Sequence, residues 1–493
     1  MIIVAVFIVF LGFYWIFWVT GSRQLDKATA ALPMPPGLPL IGHALLFIGS
    51  TEKILRNLED IATLSMKHKG VVKVWLGPKL YIAISNPEDA QVILDHCLEK
   101  DTVYRFLQPW LGRGLFIAPL RLWKSHRKVL VPVFSNKIVE QYLNIISTQA
   151  NVLVDRLSEQ SGKSEFDILQ YITGCTLDIM FETAMGKKMD VQNSPDTPYL
   201  RARHTVMTIL NQRFFKVWLQ PDIIFSMTSY AKQQKENIEL THKFTDEVVQ
   251  KRRLEYEMKE ASKINNESDE KPKAVLDLLF GREIEFTNEQ LREHIDSITI
   301  AGNDTTALVI AYAFVLLGIH QDAQDKVMLE QKTIFGNSKQ GATKEDLLKM
   351  NYLERVIKET MRLYTVTPII ARNVDRDTYL PHSDITIPSG VGAVVGAFAL
   401  HRSQAIWGST ANEFDPDRFL PENSIDRHPA AFIPFSYGSR NCIGRNFGMI
   451  IMKSIISSIV RSYKIEASEV GPLKIEILLF PINGHQIKLT KRL

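Results

Sequence analysis

Cysteine is scarce in this sequence: a chain of 493 residues contains only three, at Cys97, Cys175 and Cys442. Three widely spaced cysteines cannot form the dense disulfide framework of a small secreted domain. An excess of charge is also missing, since 58 Lys and Arg residues oppose 54 Asp and Glu residues and leave a formal net charge of +4. So small an excess argues against nucleic acid as a partner. With 45% hydrophobic residues, the composition indicates a large globular protein.

Signatures of nucleotide cofactors are missing as well. No G-x-G-x-x-G motif follows a predicted strand and no P-loop occurs, and the spacing of Gly390, Gly392 and Gly396 fits neither. We therefore predict no flavin or nicotinamide domain within the length of this chain. Electrons for any redox reaction would come from a separate protein.

Charged side chains are absent from the first 19 residues. An apolar helix of this length, at ~1.5 Å per residue, spans the ~30 Å hydrocarbon core of a bilayer. A cleavable signal peptide is the alternative, supported by the small residues at 28–30, but the run lacks a basic n-region and exceeds a typical apolar h-region. We predict a membrane anchor over 1–20, a basic and then proline-rich linker over 21–42, and a single domain over 43–493. The basic residues after the anchor place that domain on the cytosolic face.

Turn and capping signals divide the rest of the chain into helices and short strands. Apolar residues on either side of a Gly-Pro pair predict a β-hairpin over 73–85. The capping box at Thr287 opens an apolar-patterned helix of roughly thirty residues. A strand is predicted over 391–399, a hairpin turn over 481–484 and a solvated loop over 251–275. The predicted fold class is mainly α with small β-sheets (α+β).

The centre of the long helix contains an unusual segment, Ala301-Gly302-Asn303-Asp304-Thr305-Thr306. A glycine inside a helix costs ~1 kcal/mol relative to alanine, so Gly302 invites an explanation such as the close approach of a flat cofactor or dioxygen. Thr305 can donate a hydrogen bond back to the Ala301 carbonyl or release its hydroxyl to a ligand. A local bend without chemistry is the alternative interpretation.

One of the three cysteines has a distinctive setting. Cys442 lies in a turn with two glycines and an arginine two residues before it, the segment Phe435-Ser436-Tyr437-Gly438-Ser439-Arg440-Asn441-Cys442-Ile443-Gly444. A helix-like apolar run follows from Arg445, so the sulfur is presented near a helix N-terminus, which favours a thiolate. The alternative is an inert, buried cysteine.

This turn fits F-x-x-G-x-R-x-C-x-G, the heme-binding loop of the cytochrome P450 family, and the sequence resembles the microsomal, family-4-like monooxygenases of insects. The segment that begins at Ala301 is similar to the oxygen-binding motif of that family. The resemblance implies the cytochrome P450 fold, with heme b between a long central helix and the cysteine loop, preceded by an N-terminal transmembrane helix. It also implies that heme is held non-covalently apart from the bond between iron and the Cys442 sulfur.

The resemblance also implies roles for individual residues. Cys442 would be the metal ligand, while Asp304 and Thr305 would be catalytic groups that deliver protons during oxygen activation. Trp123 and Arg127 form a W-x-x-x-R pair on one helix face. The cofactor-binding residues would be Trp123, Arg127, Ala301, Arg372, Phe435, Arg440 and Cys442.

A second group of residues would be structural by the same resemblance. Glu359 and Arg362, spaced i and i+3 on a helix, would join Arg418 in a triad that supports the heme loop without a catalytic role. His401 would either meet a heme propionate or be a satisfied core histidine.

Two positions depart from the family pattern. Family-4 enzymes that attach heme covalently have a glutamate where this chain has Ala301, so an ester link cannot form there, and terminal hydroxylation of fatty acids is a weaker inference. Prolines usual after the R-L-Y sequence are replaced by Thr365 and Val366.

The activity implied is heme-thiolate monooxygenation, the insertion of one oxygen atom of O2 into a small lipophilic substrate such as an endogenous lipid, a hormone or a xenobiotic such as an insecticide. The segment 101–122 would contact the substrate. The segment 212–225 would cover the substrate channel and touch the bilayer, and simple packing in the core is an equal alternative for it. A heme-thiolate isomerase or dehydratase that needs no reductase is one alternative activity. A heme-binding sensor or carrier without turnover is another.

Electrons would come from NADPH through NADPH-cytochrome P450 reductase, with cytochrome b5 as a second candidate partner. The reductase would dock on a basic surface with the candidate residues Lys124, Lys128, Arg445 and Lys453. The expected location is the endoplasmic reticulum membrane, where the N-terminal helix would contact membrane lipids.

Overall fold

The structure is a computed structural model that describes residues 12, 24–262, 272–282 and 284–492. The anchor predicted over 1–20 lies outside the described residues apart from Gly12. The proline-rich segment before residue 43 is docked on the domain, because the Lys73 N–H donates to the Pro33 carbonyl at 2.9 Å and Gly42 bridges to Leu76. The boundaries between anchor, linker and domain stay a prediction.

Most of the described chain is helical. The α-helices in chain order are α1 (Thr51–Met66), α2 (Pro87–His96), α3 (Gln108–Leu111), α4 (Leu120–Leu130), α5 (Asn136–Glu140), α6 (Leu143–Leu157), α7 (Leu169–Met180), α8 (Pro198–Phe215), α9 (Asp222–Ser226), α10 (Ser229–Ser262), α11 (Val275–Leu279), α12 (Asn288–Ile319), α13 (Gln321–Phe335), α14 (Lys344–Lys349), α15 (Asn351–Leu363), α16 (Ala397–Arg402), α17 (Gln404–Trp407) and α18 (Arg445–Ser462).

The strands are short. They are β1 (Val71–Leu76), β2 (Lys79–Ile84), β3 (Phe166–Asp167), β4 (Ile370–Asn373), β5 (Thr378–Leu380), β6 (Ile385–Ile387), β7 (Gly392–Val395), β8 (Tyr463–Glu466), β9 (Leu473–Ile475), β10 (Leu479–Pro481) and β11 (Gln486–Lys491). One sheet has the order β1-β2-β7-β4, with β2 and β7 parallel, and a second has the order β3-β11-β8. Two further pairs, β9 with β10 and β5 with β6, complete the small sheets. The predicted mainly α fold class is confirmed.

The long helix α12 is the core of the domain. Its capping box forms as predicted, because Thr287 Oγ1 accepts from the Gln290 N–H at 3.2 Å and Gln290 Oε1 accepts from the Thr287 N–H at 3.0 Å. From Thr306 to Gly318 every residue is buried, as expected for a helix that is apolar on all sides. Among the described residues this is the one helix long and apolar enough to cross a membrane, but helices α7, α10, α15 and α18 surround it.

The first hairpin is where the sequence predicted it. Strands β1 and β2 pair antiparallel from Val71 opposite Ile84 to Leu76 opposite Lys79. The prediction of a loop over 251–275 is wrong for its first part, since α10 continues to Ser262. Side chains of this polar helix are held by other elements: Arg252 donates to the Gly186 carbonyl at 2.6 Å. Such tertiary contacts stabilise a helix that its composition does not favour.

Two C-terminal predictions are also corrected. The strand predicted over 391–399 ends at Val395, because the Gly396 N–H turns to the Ile84 carbonyl and α16 begins directly afterwards. The turn over 481–484 exists but does not form a hairpin, since β10 pairs with β9 whereas β11 pairs with β8 and β3. The β9–β10 hairpin contacts α8, because the Ile477 N–H donates to Asn211 Oδ1 at 2.8 Å.

Candidate active site

The centre of α12 contains an exposed residue within a largely buried helix. Ala301 is exposed although the helix is buried on both sides of it. Thr305 Oγ1 donates to the Ala301 carbonyl at 2.7 Å, which is one of the two hydrogen-bonding states predicted from the sequence. A Cβ at position 302 would lie 2.7 Å from the flexible end of the Met180 side chain, and the approach of a cofactor or dioxygen to Gly302 stays a prediction.

Asp304 is held by a neighbouring helix. Its Oδ1 accepts hydrogen bonds from Arg203 Nη2 at 2.5 Å and from Asn303 Nδ2 at 2.8 Å. The Asn303 side chain is fixed in turn, because its Oδ1 accepts from Thr176 Oγ1 at 2.7 Å. Sequence analysis found Asp304 but missed Arg203, which lies a hundred residues earlier on α8 and carries no motif.

The loop before α18 presents Cys442 as the sequence predicted. The Cys442 N–H donates to the Phe435 carbonyl at 2.9 Å and closes the turn. Gly438 has φ of +73°, and a Cβ there would lie 2.7 Å from the Leu94 carbonyl oxygen, so another residue would displace α2. Cys442 is exposed, whereas the other two cysteines of the chain are buried.

The electrostatic setting of Cys442 contains opposing effects. Although Cys442 is exposed, the protein around the loop partly desolvates its sulfur and thereby raises the pKa of the thiol, while the Gly444 N–H and the positive charges of Arg127 and Arg445 lower it. The thiol pKa therefore stays above its ordinary value until a further positive charge is placed beside the sulfur. A metal cation is such a charge, and a coordinated thiol is deprotonated.

Two predicted cofactor residues of α4, Trp123 and Arg127, pack against this loop, which itself contains Arg440. Trp123 is buried on α4. The guanidinium carbons of Arg440 and Arg127 lie 5.0 and 5.5 Å from the centre of its ring. Arg127 binds the loop directly, since its two terminal nitrogens donate to the backbone and side-chain oxygens of Asn441 at 2.9 and 2.7 Å. The W-x-x-x-R pair thus braces the cysteine loop against α4.

Arg372 and Arg440 are buried and incompletely satisfied. Arg440 donates to the carbonyls of Leu98 and Ala118, and burial lowers its pKa to about 10. Arg372 donates to the Ala371 carbonyl at 3.1 Å, and burial also lowers its pKa. The Nε atoms of both side chains are buried without a hydrogen-bond partner.

Lys100 is a fourth cation of this cluster, and sequence analysis missed it. Its backbone forms a β-bridge with Arg372, and its ammonium group lies over the rings of Tyr104 and Phe116 at 4.5 and 4.6 Å. Burial, followed by the charges of Arg372 and Arg440, lowers its pKa well below the ordinary value. A single lysine before an aromatic stretch gives no sequence signal.

We define the basic cluster as Lys100, Arg127, Arg372 and Arg440, and the Glu99 carboxylate has an electrostatic effect on Arg440. Within the described ranges none of its members forms an ion pair with a carboxylate. Burying cations in this way is unfavourable unless an anion compensates them. The cluster and the exposed sulfur of Cys442 therefore fit heme, an iron complex with two carboxylates.

The predicted structural triad forms. Glu359 accepts from Arg362 Nε and Nη2 at 2.7 and 2.6 Å, and Arg418 Nε lies 3.4 Å from Glu359 Oε1. His401 is a satisfied core histidine rather than a propionate ligand. Its Nε2 accepts from the Ile433 N–H at 2.8 Å, so its Nδ1 donates to Thr365 Oγ1 at 2.7 Å.

Comparisons with known proteins agree with this architecture. The family model for cytochrome P450 matches residues 32–489. The chain is 37% identical to cytochrome P450 4V2 of Homo sapiens over 92% of this chain and 88% of that protein, and 34% identical to cytochrome P450 4c3 of Drosophila melanogaster over 98% and 94%.

A solved structure confirms the fold. The crystal structure of the cytochrome P450DA heme domain superposes with a TM-score of 0.81 over 94% of this chain and 98% of that one, at 21% identity. Heme b ligated by a cysteine thiolate is the cofactor that this family and fold imply. The chain therefore belongs to the cytochrome P450 family, is of the family-4 type, and is a heme-thiolate monooxygenase.

Proposed function

We propose that Cys442 is the thiolate ligand of the heme iron and that the basic cluster binds the two heme propionates. The observation that carries the proposal is the coincidence of one exposed cysteine with four cations that have no carboxylate partner among the described residues. Thiolate-ligated heme supplies the oxygen-activating chemistry when it is bound. The protein supplies its placement, its electrostatic field and its access.

Phe435 and Ala301 would face the two sides of the cofactor. The Phe435 carbonyl already fixes the cysteine turn. Ala301, exposed at the centre of α12, would lie against the opposite face, and its methyl group offers no carboxylate for an ester link to heme. Thr305, one helical turn further on, would exchange its hydrogen bond to the Ala301 carbonyl for one to a ligand and pass on a proton supplied by Asp304.

We propose a small lipophilic substrate. Ile300, the neighbour of Ala301, lies in an apolar cluster whose members come from the 102–107 segment, α8, α12 and the β9–β10 hairpin: Phe106, Val206, Leu210, Phe214, Ile300 and Ile477. Apolar walls with few polar groups are typical of sites for such ligands. An endogenous lipid, a hormone or a xenobiotic would satisfy this lining equally.

NADPH-cytochrome P450 reductase is the proposed electron donor, with cytochrome b5 as a second partner on the same face. Lys124, Lys128 and Arg445 are exposed near the cysteine loop and can bind an acidic surface. Lys453 was predicted to belong to this group but does not, because it is buried and its Nζ donates to Glu354 at 2.7 Å. A cavity of about 370 Å³ opens beside the loop, between Phe435, α14 and α18.

We place the protein at the endoplasmic reticulum membrane, with the domain on the cytosolic side. The apolar first 19 residues support an anchor. A second contact is supported by the segment 218–227, which includes α9, since Trp218 is 45% exposed, Ile223 79% and Met227 83%. Apolar side chains exposed together suit a lipid surface.

The function is tested with Cys442→Ser and, as the control, Cys97→Ser, whose thiol is buried beside Thr378. The wild type and the control should show the reduced, carbon-monoxide-bound spectrum of thiolate-ligated heme, and Cys442→Ser should lose it. Reductase-dependent consumption of NADPH should follow the spectrum. Turnover that needs neither reductase nor NADPH would support an isomerase or dehydratase, and an unchanged spectrum in Cys442→Ser would refute the proposed ligand.

A further inference from the structure

Two histidines form a buried pair between α4 and α12. His294 Nε2 lies 2.9 Å from His126 Nδ1, and the two residues are 0% and 4% exposed. The ring of Phe286 packs edge-on against both, with centroids 5.1 Å from His294 and 5.0 Å from His126. Neither histidine is a member of the basic cluster. Both rings are removed from solvent, and each depends on the other for a hydrogen bond.

A backbone amide fixes the tautomers of this pair. The Leu115 N–H donates to His294 Nδ1 at 3.2 Å, so this nitrogen carries no proton. The proton of the neutral His294 ring is then on Nε2, which donates to His126 Nδ1. Both hydrogen bonds can therefore exist together only while both rings are neutral.

The amide belongs to the 112–118 loop, which joins α3 to α4 and reaches the proposed active site. Ile117 packs against the apolar cluster that contains Phe106. The Ala118 carbonyl accepts from Arg440 of the basic cluster. The loop thus connects the histidine pair with the proposed substrate lining and with the proposed propionate site.

An added proton cannot be accommodated without the loss of a hydrogen bond. A fully protonated ring has a hydrogen on each nitrogen and accepts from neither neighbour. If His126 takes the proton, its Nδ1 becomes a donor, and His294 accepts from it only by moving its own hydrogen to Nδ1, which faces the Leu115 N–H. A charged contact between the rings is stronger than a neutral one with the amide, so the amide is the partner that is lost.

We infer that His294 is a positioning residue: together with His126 it holds the 112–118 loop through the Leu115 amide, and uptake of a proton by the pair releases that loop. The inference rests on the proposed function and deepens it, because the loop carries groups of the proposed substrate and propionate sites.

The surroundings of the pair keep both rings neutral. Burial, followed by the effect of His126, lowers the pKa of His294 to about 3, and burial also lowers the pKa of His126. Other charged groups of the packed elements, within the part of the chain that the structure describes, do not act appreciably on either ring: Arg113, Lys124, Arg127, Lys128, Asp246, Glu285, Glu289, Arg292, Glu293 and Asp296.

Two titratable groups contact the same part of the chain but do not release it. The Glu293 carboxylate accepts from the Arg113 N–H, and burial raises its pKa, so acid favours the attached loop through this group. His242 on α10 contacts the Trp110 carbonyl at 2.7 Å. A ring that donates to a carbonyl keeps this bond when it gains a proton.

The release is tested by hydrogen exchange of the 112–118 amides in the heme-loaded full chain. The pKa of each ring is lowered while the loop is attached, so attachment is favoured above pH 6.5 and is weakened as the pH falls. Exchange corrected for the intrinsic effect of pH should accelerate roughly 25-fold between about pH 7 and pH 5 for each ring that takes up a proton. The amides of residues 306–318 should stay protected at both pH values, which shows that the domain remains folded.

Variants separate the proton from the packing. His126→Asn/His294→Gln has no titrating ring but keeps amide groups that can bond across the gap, and its loop exchange should change less than about threefold with pH. His294→Leu leaves the Leu115 N–H without an acceptor, so its loop should exchange rapidly at neutral pH with equally little dependence on pH. His242→Gln is the matched control and should keep the wild-type dependence.

The positioning role is tested with dodecanol, a neutral lipophilic probe whose binding is followed by the absorption spectrum of the heme at neutral pH. His294→Leu should bind it at least about threefold more weakly than the wild type, because Ile117 loses its fixed position. His126→Asn/His294→Gln should stay within about twofold of the wild type.

Three results would contradict these statements in different ways. Wild-type loop exchange that does not change with pH, or a dependence on pH that persists in His126→Asn/His294→Gln and disappears in His242→Gln, would overturn the inference and leave the proposed function intact. Unchanged dodecanol affinity in His294→Leu would overturn the positioning role. Absence of the thiolate spectrum in the wild type would overturn the proposed function instead.

Discussion

Two regions of this protein bury arginines, and they treat the charge in opposite ways. In the triad, Arg362 is fully buried and Glu359 compensates it through two hydrogen bonds at 2.6 and 2.7 Å. Its remaining donors reach the carbonyls of His401 and Ala411. In the basic cluster, Arg372 and Arg440 have carbonyl partners but form no ion pair with a carboxylate of the described residues, whereas both triad arginines pair with Glu359.

The difference separates a structural site from a binding site. Buried charges that are compensated by other groups of the same protein are tolerated only while every partner is present. Buried cations that lack a carboxylate raise the free energy of the protein alone and are compensated when an anion binds. The triad therefore supports the loop, whereas the basic cluster is built for a cofactor.

The largest expected effect is in the triad. Glu359→Gln should lower the free energy of unfolding by about 3–5 kcal/mol, because it leaves the Arg362 charge buried without a partner. The measurement is denaturant unfolding with and without heme, and the loss should be similar in both. Glu52→Gln, in the exposed pair with Arg56, is the control and should cost less than about 1 kcal/mol. A cost for Glu359→Gln as small as the control would contradict a structural triad.

The basic cluster should respond in the opposite sense. Arg372→Met should weaken heme binding by roughly 10–100-fold, the equivalent of about 1.4–2.8 kcal/mol, and should leave the heme-free protein as stable as before or more so. Heme titration and unfolding of the heme-free protein measure the two effects. Arg376→Met removes an exposed arginine of the same segment and should change neither. If Arg372→Met destabilised the heme-free protein as strongly as Glu359→Gln does, the two regions would not differ in the way described.

Acid should weaken the triad region through His401. Burial lowers the His401 pKa to about 3, so the folded ring stays neutral while the unfolded ring takes up a proton below its ordinary pKa near 6.5. The contribution of the neutral His401 ring to the free energy of unfolding is therefore fully present above pH 6.5 and is lost as the pH falls toward 3. At pH 5 the loss is about 2 kcal/mol.

His401→Gln should remove that slope, since glutamine can still accept the Ile433 N–H and does not titrate. Unfolding free energies of the wild type and variant at several pH values between about 7 and 5 should differ by an amount that changes with pH. Parallel pH curves would show that His401 is not buried as a neutral ring.

The smallest effect concerns a departure from the family pattern. Thr365→Val should cost about 1–2 kcal/mol of unfolding free energy, because the His401 Nδ1–H loses its acceptor. Thr365→Ser keeps the hydroxyl and should cost less. Equal losses in the two variants would mean that packing of the methyl group, rather than the hydrogen bond, sets the role of this position.

The sequence predicted features that depend on neighbouring residues. The capping box at Thr287, the turn around Cys442 and the i, i+3 pair of Glu359 and Arg362 are local patterns, and each forms. Packing between distant segments carried no such signal. Arg203 and Asp304 are 101 residues apart, and the fold alone brings them together.

The same limit explains the wrong predictions. The polar composition after residue 251 favours a loop, yet contacts such as that of Arg252 with Gly186 keep it helical. Lys453 resembled a surface charge because its partner, Glu354, is on a different helix.

The most direct test of the central claim compares heme with heme dimethyl ester, in which both carboxylates are blocked. Each is titrated into the heme-free wild type and into Arg372→Met. We expect the wild type to bind heme at least about 10-fold more tightly than the ester, and Arg372→Met to lose most of that preference. Equal affinity of the wild type for heme and for its ester would show that the buried cations do not serve the carboxylates and would contradict the account.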